Sequence, residues 1–282
     1  MFKRISFVTV IVMALSLTLA GCGGKALQAK EVLEKAADAS KDLDNYQMNA
    51  DITMNMDAAG QSMKTQANLT SQIQNKPMLA HMTMKTNLQN QSLKTDMYMT
   101  KDQLYMQNKQ QSKQWMKIKN PSSQQMEAMK NQNIDPAENL KKLKKYVDEF
   151  DMKEKDGEYV LSMTAKGDKV KEFYNDVAAK AMPQTTSQLQ NVMDNMTFED
   201  IKYTYHVNKD TYYPESMDMD MTLSVAGDEN QSNDQSSNME LNQTMTMTFS
   251  KFNELDDISI PKKVKDNAKE VDMNKLGQNT DQ

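Results

Sequence analysis

A strict alternation of apolar and polar side chains is the feature of this sequence that most limits its fold. Over residues 46–56, Tyr, Met, Ala or Ile occupies every even position, and Gln, Asn, Asp or Thr occupies every odd one. Successive side chains of a β-strand point to opposite faces of a sheet, so this pattern predicts a strand with one dry and one wet face. Repetition of the pattern predicts an antiparallel sheet whose two faces differ in polarity.

The same alternation recurs through most of the chain, and short turns such as 57–60 and 75–77 separate the first strands. We predict about ten strands, over residues 46–56, 63–73, 78–88, 93–99, 104–106, 115–118, 159–165, 201–207, 217–225 and 239–249. The predicted fold class is α+β, mainly antiparallel β: a strongly curved, unclosed β-barrel with helices across the concave face. A fully closed barrel, which would have no exposed edges, is the alternative.

Helical spacing of apolar residues occurs at the start of the chain and between the two groups of strands. The i, i+3, i+4 pattern predicts helices over residues 26–43, 122–132, 136–150, 170–181 and 185–195. Pro136 is expected at the first helical position of its helix. Residues 227–238 are polar and predict a mobile loop, and the segment around 258–261 is expected to close the sheet edge.

The N-terminal residues have the features of a secretory signal, which ends just before the single cysteine of the chain. Lys3 and Arg4 precede a largely apolar run over residues 5–19, and Leu19-Ala20-Gly21-Cys22 resembles a bacterial lipobox. We predict a lipoprotein signal peptide over 1–21, a diacylglycerol on Cys22, a short tether over 22–25, one domain over 26–265 and a polar tail over 266–282. Two acyl chains anchor a protein stably, so the chain is expected outside the cytoplasm, on the outer face of the cytoplasmic membrane. The Gram-positive type of envelope is implied only by the family resemblance described below.

Composition narrows the chemistry further. Removal of the signal leaves 282 − 21 = 261 residues, with 34 − 2 = 32 basic against 39 acidic side chains, a formal charge of −7. This mild acidity argues against nucleic-acid binding. Lipidation of Cys22 uses the only thiol, which excludes disulfides, thiolate metal ligands and a cysteine nucleophile.

A short motif links the second group of strands to a known family. Its residues are Tyr203, Tyr205, Val207, Lys209, Asp210, Thr211 and Pro214, which describe a strand, a tight turn and the start of the next strand. With the lipobox, the leading helix and the Met-rich strands, this order resembles the LolA/LppX-like lipoprotein superfamily, in its uncharacterised Gram-positive branch. The resemblance implies an unclosed barrel whose helix-covered cavity takes acyl chains.

Methionine is unusually abundant: 27 − 2 = 25 of the 27 methionines remain after Met1 and Met13 are removed with the signal. An unbranched, polarizable side chain can repack around different apolar guests, so we predict a ligand cavity lined by the dry face. Simple packing between sheet and helices is the plainer alternative. The candidate lining residues are Met48, Ile52, Met54, Met56, Met82, Met84, Met97, Met99, Met163, Tyr203, Tyr205, Met217, Met219, Met221, Met245, Met247 and Phe249.

Other chemistries fit the sequence less well. Thioethers select Cu(I), but two Met at i and i+2 of a strand lie roughly 6.5–7 Å apart, too far for a close pair within one strand. His81 and His206 alternate out of phase with the dry face, and no phosphate loop or metal-binding His spacing is present, so neither an enzyme nor a metal or cofactor site is predicted.

Two features of the wet surface leave further alternatives. Its outward residues are mainly Asn, Gln, Thr and Lys, without an aromatic cluster, and a structural or signalling lipoprotein could bind a protein partner through this face. The run Lys141, Lys142, Lys144 and Lys145 is expected to be the solvated side of a helix, with contact to the membrane surface as the alternative.

Overall fold

A twelve-stranded sheet organises the protein. The computed structural model describes residues 28–58, 60–88, 91–109, 113–119, 136–177, 196–225 and 239–272. The strands are β1 (Asn45–Ala58), β2 (Gln61–Asn75), β3 (Met78–Leu88), β4 (Gln91–Thr100), β5 (Leu104–Asn108), β6 (Met116–Lys119), β7 (Asp151–Lys155), β8 (Glu158–Lys166), β9 (Met196–Asn208), β10 (Pro214–Val225), β11 (Met239–Ser250) and β12 (Lys269–Asp272).

The sheet consists of two meanders joined side by side. Strands β1 to β6 pair in sequence order, strands β7 to β11 do the same, and the two groups meet where β1 pairs with β11. The full order is β12-β6-β5-β4-β3-β2-β1-β11-β10-β9-β8-β7, with β12 and β7 at the edges. The sheet is therefore unclosed, as predicted, and the closed-barrel alternative is not adopted.

Two of the twelve strands differ from the prediction. The edge strand β7 was not predicted, because Met152 is its only apolar residue; it turns into β8 through Asp156 and Gly157, both with positive φ. The other edge strand, β12, lies within residues 266–282, which we predicted as a polar tail. It pairs in parallel with β6, whereas the other strand pairs among the described residues are antiparallel. Residues 258–261, which were expected to close the sheet edge, do not form a strand.

The helix bounds differ from those predicted: the first helix begins and ends inside the predicted 26–43, and the helix predicted over 170–181 begins earlier, at Asp168. The helices are α1 (Ala29–Lys41), α2 (Pro136–Leu143), a 3₁₀ helix (Lys144–Glu149), α3 (Asp168–Val177) and α4 (Lys262–Asn267). The carboxylate of Glu31 accepts a hydrogen bond from the Gln28 backbone N–H at 3.1 Å, which fixes the start of α1. Pro136 opens α2, as predicted. The predicted helices over 122–132 and 185–195 and the loop over 227–238 lie outside the described residues.

Three helices and the 3₁₀ helix pack on one face of the sheet. Val32 and Leu33 of α1, Leu140 of α2 and Val170 of α3 are buried in one apolar cluster with the first even-numbered residues of β1, which are Tyr46, Met48 and Ala50. No helix in the described parts of the chain is both long and apolar enough to cross a membrane.

The opposite face also carries a small apolar cluster, which corrects the prediction of an entirely wet face. Tyr105 packs there with Ile260 and Val264, and the side chains of Tyr98 and Trp115 lie against them. Helix α4 thus covers part of the far side of β3 to β6. The sequence pattern missed this cluster because Tyr105 follows Leu104, and both neighbours are buried on opposite faces.

Candidate functional site

The strand register places the candidate lining residues on a single face of the sheet, called here the inner face. One row across six neighbouring strands runs Ala67, Ile52, Met245, Met219, Tyr203 and Met163. Directly opposed residues of antiparallel strands share a face, so the pairing extends this assignment to every candidate position. The alternation in the sequence therefore predicted the face correctly.

The inner face is unevenly covered, because some of its side chains are shielded from solvent and others are not. Near the helices the side chains are buried; these are Met48, Met82, Met99, Met163, Tyr203, Tyr205, Met217, Met221, Met247 and Phe249. Elsewhere they remain partly exposed; these are Ile52, Met54, Met56, Met84, Met97, Met219 and Met245. The inner face thus passes from a closed core into an apolar surface that the protein leaves partly open to solvent.

Cross-strand pairing brings thioethers next to each other, an arrangement that a single strand does not allow. Met219 lies opposite Met245, and Met217 lies opposite Met247, on the same two strands. Directly opposed side chains have Cβ atoms about 4.5–5.5 Å apart. The two pairs differ in solvent contact: Met217 is 8% exposed and Met247 4%, whereas Met219 and Met245 are both partly exposed.

Strand β9 contributes two tyrosines to the inner face, next to the methionines of β8 and β10. The rings of Tyr203 and Tyr205 stack with centroids 6.3 Å apart, and Phe150 meets Tyr203 edge-on at 6.2 Å. Burial raises the pKa of both phenols well above the usual value, so both stay neutral at physiological pH. They contribute apolar area and a hydroxyl dipole rather than acid–base chemistry.

A cleft of about 180 Å³ opens beside these rings, between the 3₁₀ helix, α3 and β8. Tyr146, Met163 and Ala165, all largely buried, form its apolar part. Of the candidate lining residues, Met163 reaches this cleft. Its volume is below the roughly 300–1,000 Å³ of typical small-molecule pockets, so it admits only part of a larger apolar molecule.

Charged side chains surround the mouth of the cleft. Lys145 lies 2.8 Å from Glu172 and Lys169 lies 2.5 Å from Glu149, so two ion pairs join the 3₁₀ helix to α3. Other lysines of the 141–145 run are also paired: Lys144 contacts Glu34 of α1 at 2.8 Å. The run therefore ties neighbouring helices together in addition to facing solvent.

The residues of the family-like motif build a structural turn. The Asn208 carboxamide oxygen accepts hydrogen bonds from the backbone N–H groups of Asp210 at 2.9 Å and Thr211 at 3.0 Å. This turn holds Tyr212 with φ of 58°, stacked on Tyr159 at 6.0 Å. Lys35 of α1 donates a hydrogen bond to the Tyr212 hydroxyl at 3.2 Å, so the turn secures the leading helix.

An aromatic group lies on the outer face, where none was predicted. The rings of His81 and Tyr98 stack at 4.3 Å, and Trp115 meets Tyr98 at 5.5 Å. Burial lowers the pKa of His81, which favours a neutral ring. Burial of the adjacent Asp96 would raise the pKa of its carboxyl. Hydrogen bonds from Lys109 and from Thr83, the latter at 2.9 Å, outweigh this effect, so the pKa of Asp96 is lowered.

A second polar group on the outer face contains the other histidine. His206 Nδ1 lies 2.6 Å from a Glu158 carboxylate oxygen, and Asn208 donates to Glu215 at 2.6 Å. A hydrogen bond between the two carboxyls lowers the pKa of Glu158 and raises that of Glu215. Among the described residues, no group of three or more His, Cys, Asp or Glu side chains is arranged to hold a metal ion.

One polar residue of the inner face escaped the sequence analysis. Ser71 lies between Met48 and Met82 in its row and is 0% exposed. Within the described structure, its hydroxyl has no hydrogen-bond partner. An unpaired buried hydroxyl costs free energy, which makes Ser71 a buried polar point within the apolar part of the inner face. Ser71 interrupts the apolar alternation of β2 between Leu69 and Ile73, and this is the signal that could have identified it.

Cys22, the tether and the signal segment lie outside the described residues, so the lipid anchor stays a prediction. The family model described as "Family of unknown function (DUF6612)" matches residues 28–269. No curated protein sequence matches the chain.

Solved structures with similar coordinates have low sequence identity. LprF from Mycobacterium bovis is 13% identical, with 83% of this chain and 96% of that chain covered and a TM-score of 0.38. A "putative outer membrane lipoprotein-sorting protein domain" from Vibrio parahaemolyticus is 11% identical, with 79% of this chain and 92% of that chain covered and a TM-score of 0.26. A DUF1329 family protein from Desulfovibrio piger is 10% identical, with 79% of this chain and 91% of that chain covered and a TM-score of 0.24. Similarity at these scores does not identify equivalent residues.

Proposed function

Because this chain belongs to DUF6612, a family of unknown function, we propose a function from its own residues: it is a membrane-anchored lipoprotein that binds an acyl lipid or similar apolar molecule on the inner face. The protein acts outside the cytoplasm, on the outer face of the cytoplasmic membrane, where a diacylglycerol on Cys22 holds it. It carries or transfers its ligand and catalyses no reaction. The sheet is strongly curved around the bound molecule.

The observation that carries this proposal is the uneven cover of the inner face. Met54, Met219 and Met245 are partly exposed beside Met217 and Met247, which are buried. Partly exposed apolar side chains grouped on one face usually mark a place where a ligand or partner is bound. Methionine suits an acyl chain in particular, because its flexible thioether adapts to a guest of variable length and unsaturation.

Ser71 supports a ligand that has a polar group beside its hydrocarbon. Its hydroxyl is buried between Met48 and Met82 without a protein partner. The ester or carboxyl oxygen of a lipid could accept a hydrogen bond there and remove the cost of the unpaired donor. The cleft at Met163 lies at the far end of the row that contains Met219, so it offers space for one end of a chain.

The proposal is tested by the lipid content of two matched variants. Met245→Lys places a charge on the inner face, whereas Thr244→Lys places the same charge one residue earlier on the outer face, where Thr244 is exposed. The full chain is purified from membranes in one detergent, and non-covalent lipid is extracted and counted per chain by mass spectrometry. Lipid bound by the micelle is common to both variants, so their difference reports on the site.

We expect the wild type and Thr244→Lys to carry equal amounts of lipid, and Met245→Lys to carry markedly less. A charge on an apolar binding surface must be desolvated when the ligand binds, which opposes binding. Equal lipid content in all three proteins would contradict the proposal. Circular dichroism checks that both variants remain folded.

A second candidate function, the binding of a protein partner through the outer face, is favoured by one observation. His81, Tyr98 and Trp115 form an aromatic group there, and all three are partly exposed. Aromatic residues are enriched at the energetic centres of protein interfaces. Recovery of one stoichiometric partner by the wild type, lost in Trp115→Ala and retained in Met245→Lys, would support this function over lipid binding.

A further inference from the structure

We propose that the cross-strand pair Met219–Met245 is a reversible oxidation site, at which a hydroperoxide converts the thioethers to sulfoxides and so releases the bound apolar molecule. The oxidation step stands on the geometry of this pair. The release step rests on the proposed function.

The pair is the more exposed of two neighbouring thioether pairs on β10 and β11; on β10, Met219 lies between Met217 and Met221, which are both buried. Met219 and Met245 oppose each other on β10 and β11, and both are partly exposed. Two residues further along the same strands, Met217 and Met247 oppose each other at 8% and 4% exposure. A dissolved oxidant therefore reaches the first pair more readily than the second, most of whose surface becomes accessible through local opening of the structure.

The reaction needs only the named oxidant. A lone pair on the thioether sulfur attacks one oxygen of the peroxide, the O–O bond breaks, and the departing hydroxide takes the proton of the transferred OH to form water. Sulfur is oxidised by two electrons and the peroxide is reduced by two. A methionine sulfoxide reductase reverses the change by using a dithiol, which becomes a disulfide while the oxygen leaves as water.

Oxidation changes this part of the inner face from apolar to polar. A sulfoxide carries a strong dipole and an oxygen acceptor, and the row neighbours of Met245 and Met219 are Ile52 and Tyr203. An apolar guest over this pair would have to remove water from the new oxygen without offering it a donor, which disfavours the bound state. The lone cysteine is the predicted lipid attachment point, so thioethers are the oxidisable sulfur that the domain retains.

The test uses two double variants that differ only in which pair is protected. Leu replaces Met with little change in volume, so Met219→Leu/Met245→Leu removes the exposed pair and Met217→Leu/Met247→Leu removes the buried one. The full chain in detergent is loaded with radiolabelled palmitic acid and treated with hydrogen peroxide. Peptide mass spectrometry gives the oxidation rate at each Met, and gel filtration gives the palmitate retained.

In the wild type we expect Met219 and Met245 to be oxidised at least about tenfold faster than Met217 and Met247, because the buried pair reacts mainly through opening. Palmitate should be lost in step with this oxidation in the wild type and in Met217→Leu/Met247→Leu. Its loss should be about fivefold slower or more in Met219→Leu/Met245→Leu, and sulfoxide reductases with dithiothreitol should restore binding to the oxidised wild type.

Equal oxidation rates for the two pairs would overturn the proposed oxidation site. Palmitate loss at the wild-type rate in Met219→Leu/Met245→Leu would overturn the proposed release. If untreated protein binds no palmitate in any variant, release of an acyl ligand is refuted together with the proposed function. The site-resolved rates would then still decide the oxidation step by themselves.

Discussion

Replacement of Met99 by Ala tests whether the covered part of the inner face is a well-packed core. Met99 is 0% exposed on β4, where it opposes Ala80 on β3 and Leu104 on β5. The substitution removes Cγ, Sδ and Cε, which at about 0.8 kcal/mol per methylene-sized group is about 2.4 kcal/mol of transfer free energy. An unfilled cavity adds to this loss, so we expect the free energy of unfolding to fall by about 3 to 4 kcal/mol.

Met97→Ala is the matched control, two residues earlier on the same strand and face. Met97 is partly exposed, so the same truncation should cost about 1 kcal/mol. Urea unfolding, followed through the fluorescence of Trp115, the single tryptophan, measures both losses. A loss below about 1 kcal/mol for Met99→Ala, or equal losses for both variants, would refute the inference that cover is uneven.

Three further outcomes are expected. Cys22→Ser should abolish incorporation of radiolabelled palmitate into the chain and release it from the membrane fraction. Because the folded pKa of Asp96 lies below its ordinary 3.8, its carboxylate stabilises the fold above that pH, and this stability is lost as pH falls through the lower folded value. Asp96→Asn should therefore cost about 1 to 2 kcal/mol at pH 7, and urea midpoints should converge with the wild type near pH 2. Tyr212→Ala should cost about 1 to 2 kcal/mol in urea unfolding, whereas Tyr212→Phe, which keeps the ring on Tyr159, should lose less than half of that.

The sequence predicted the inner face because alternation is a local property. Once the strand at 46–56 has its even residues on one side, the pairing of Met48, Ala50 and Ile52 with β2 and β11 carries the same side across the sheet. Which of those side chains are covered depends on where the helices dock. The difference between Met217 and Met219, both apolar and on one strand, has no counterpart in the sequence pattern.

Local sequence patterns failed to predict the strands that form only because they pair with a neighbouring strand. Val271 is the only apolar residue of β12, which is a strand because it pairs with β6 at an otherwise free edge. Strand β7 is similarly charged, with Met152 alone facing the core. The aromatic group on the outer face, including Tyr98, combines residues from separate parts of the first meander. The sequence pattern could not predict it, because these residues meet only when the strands pair.

The junction of β1 with β11 has a consequence for export. Met48 pairs with Phe249, a separation of 249 − 48 = 201 residues, so the middle of the sheet is completed by one of the last strands in the sequence. If the chain is exported as proposed, its first meander presents β1 during translocation as a long unpaired edge rich in thioethers, and such edges readily pair with other chains. Retention of the emerging chain near the bilayer by its lipid would limit such encounters until its own C-terminal half arrives.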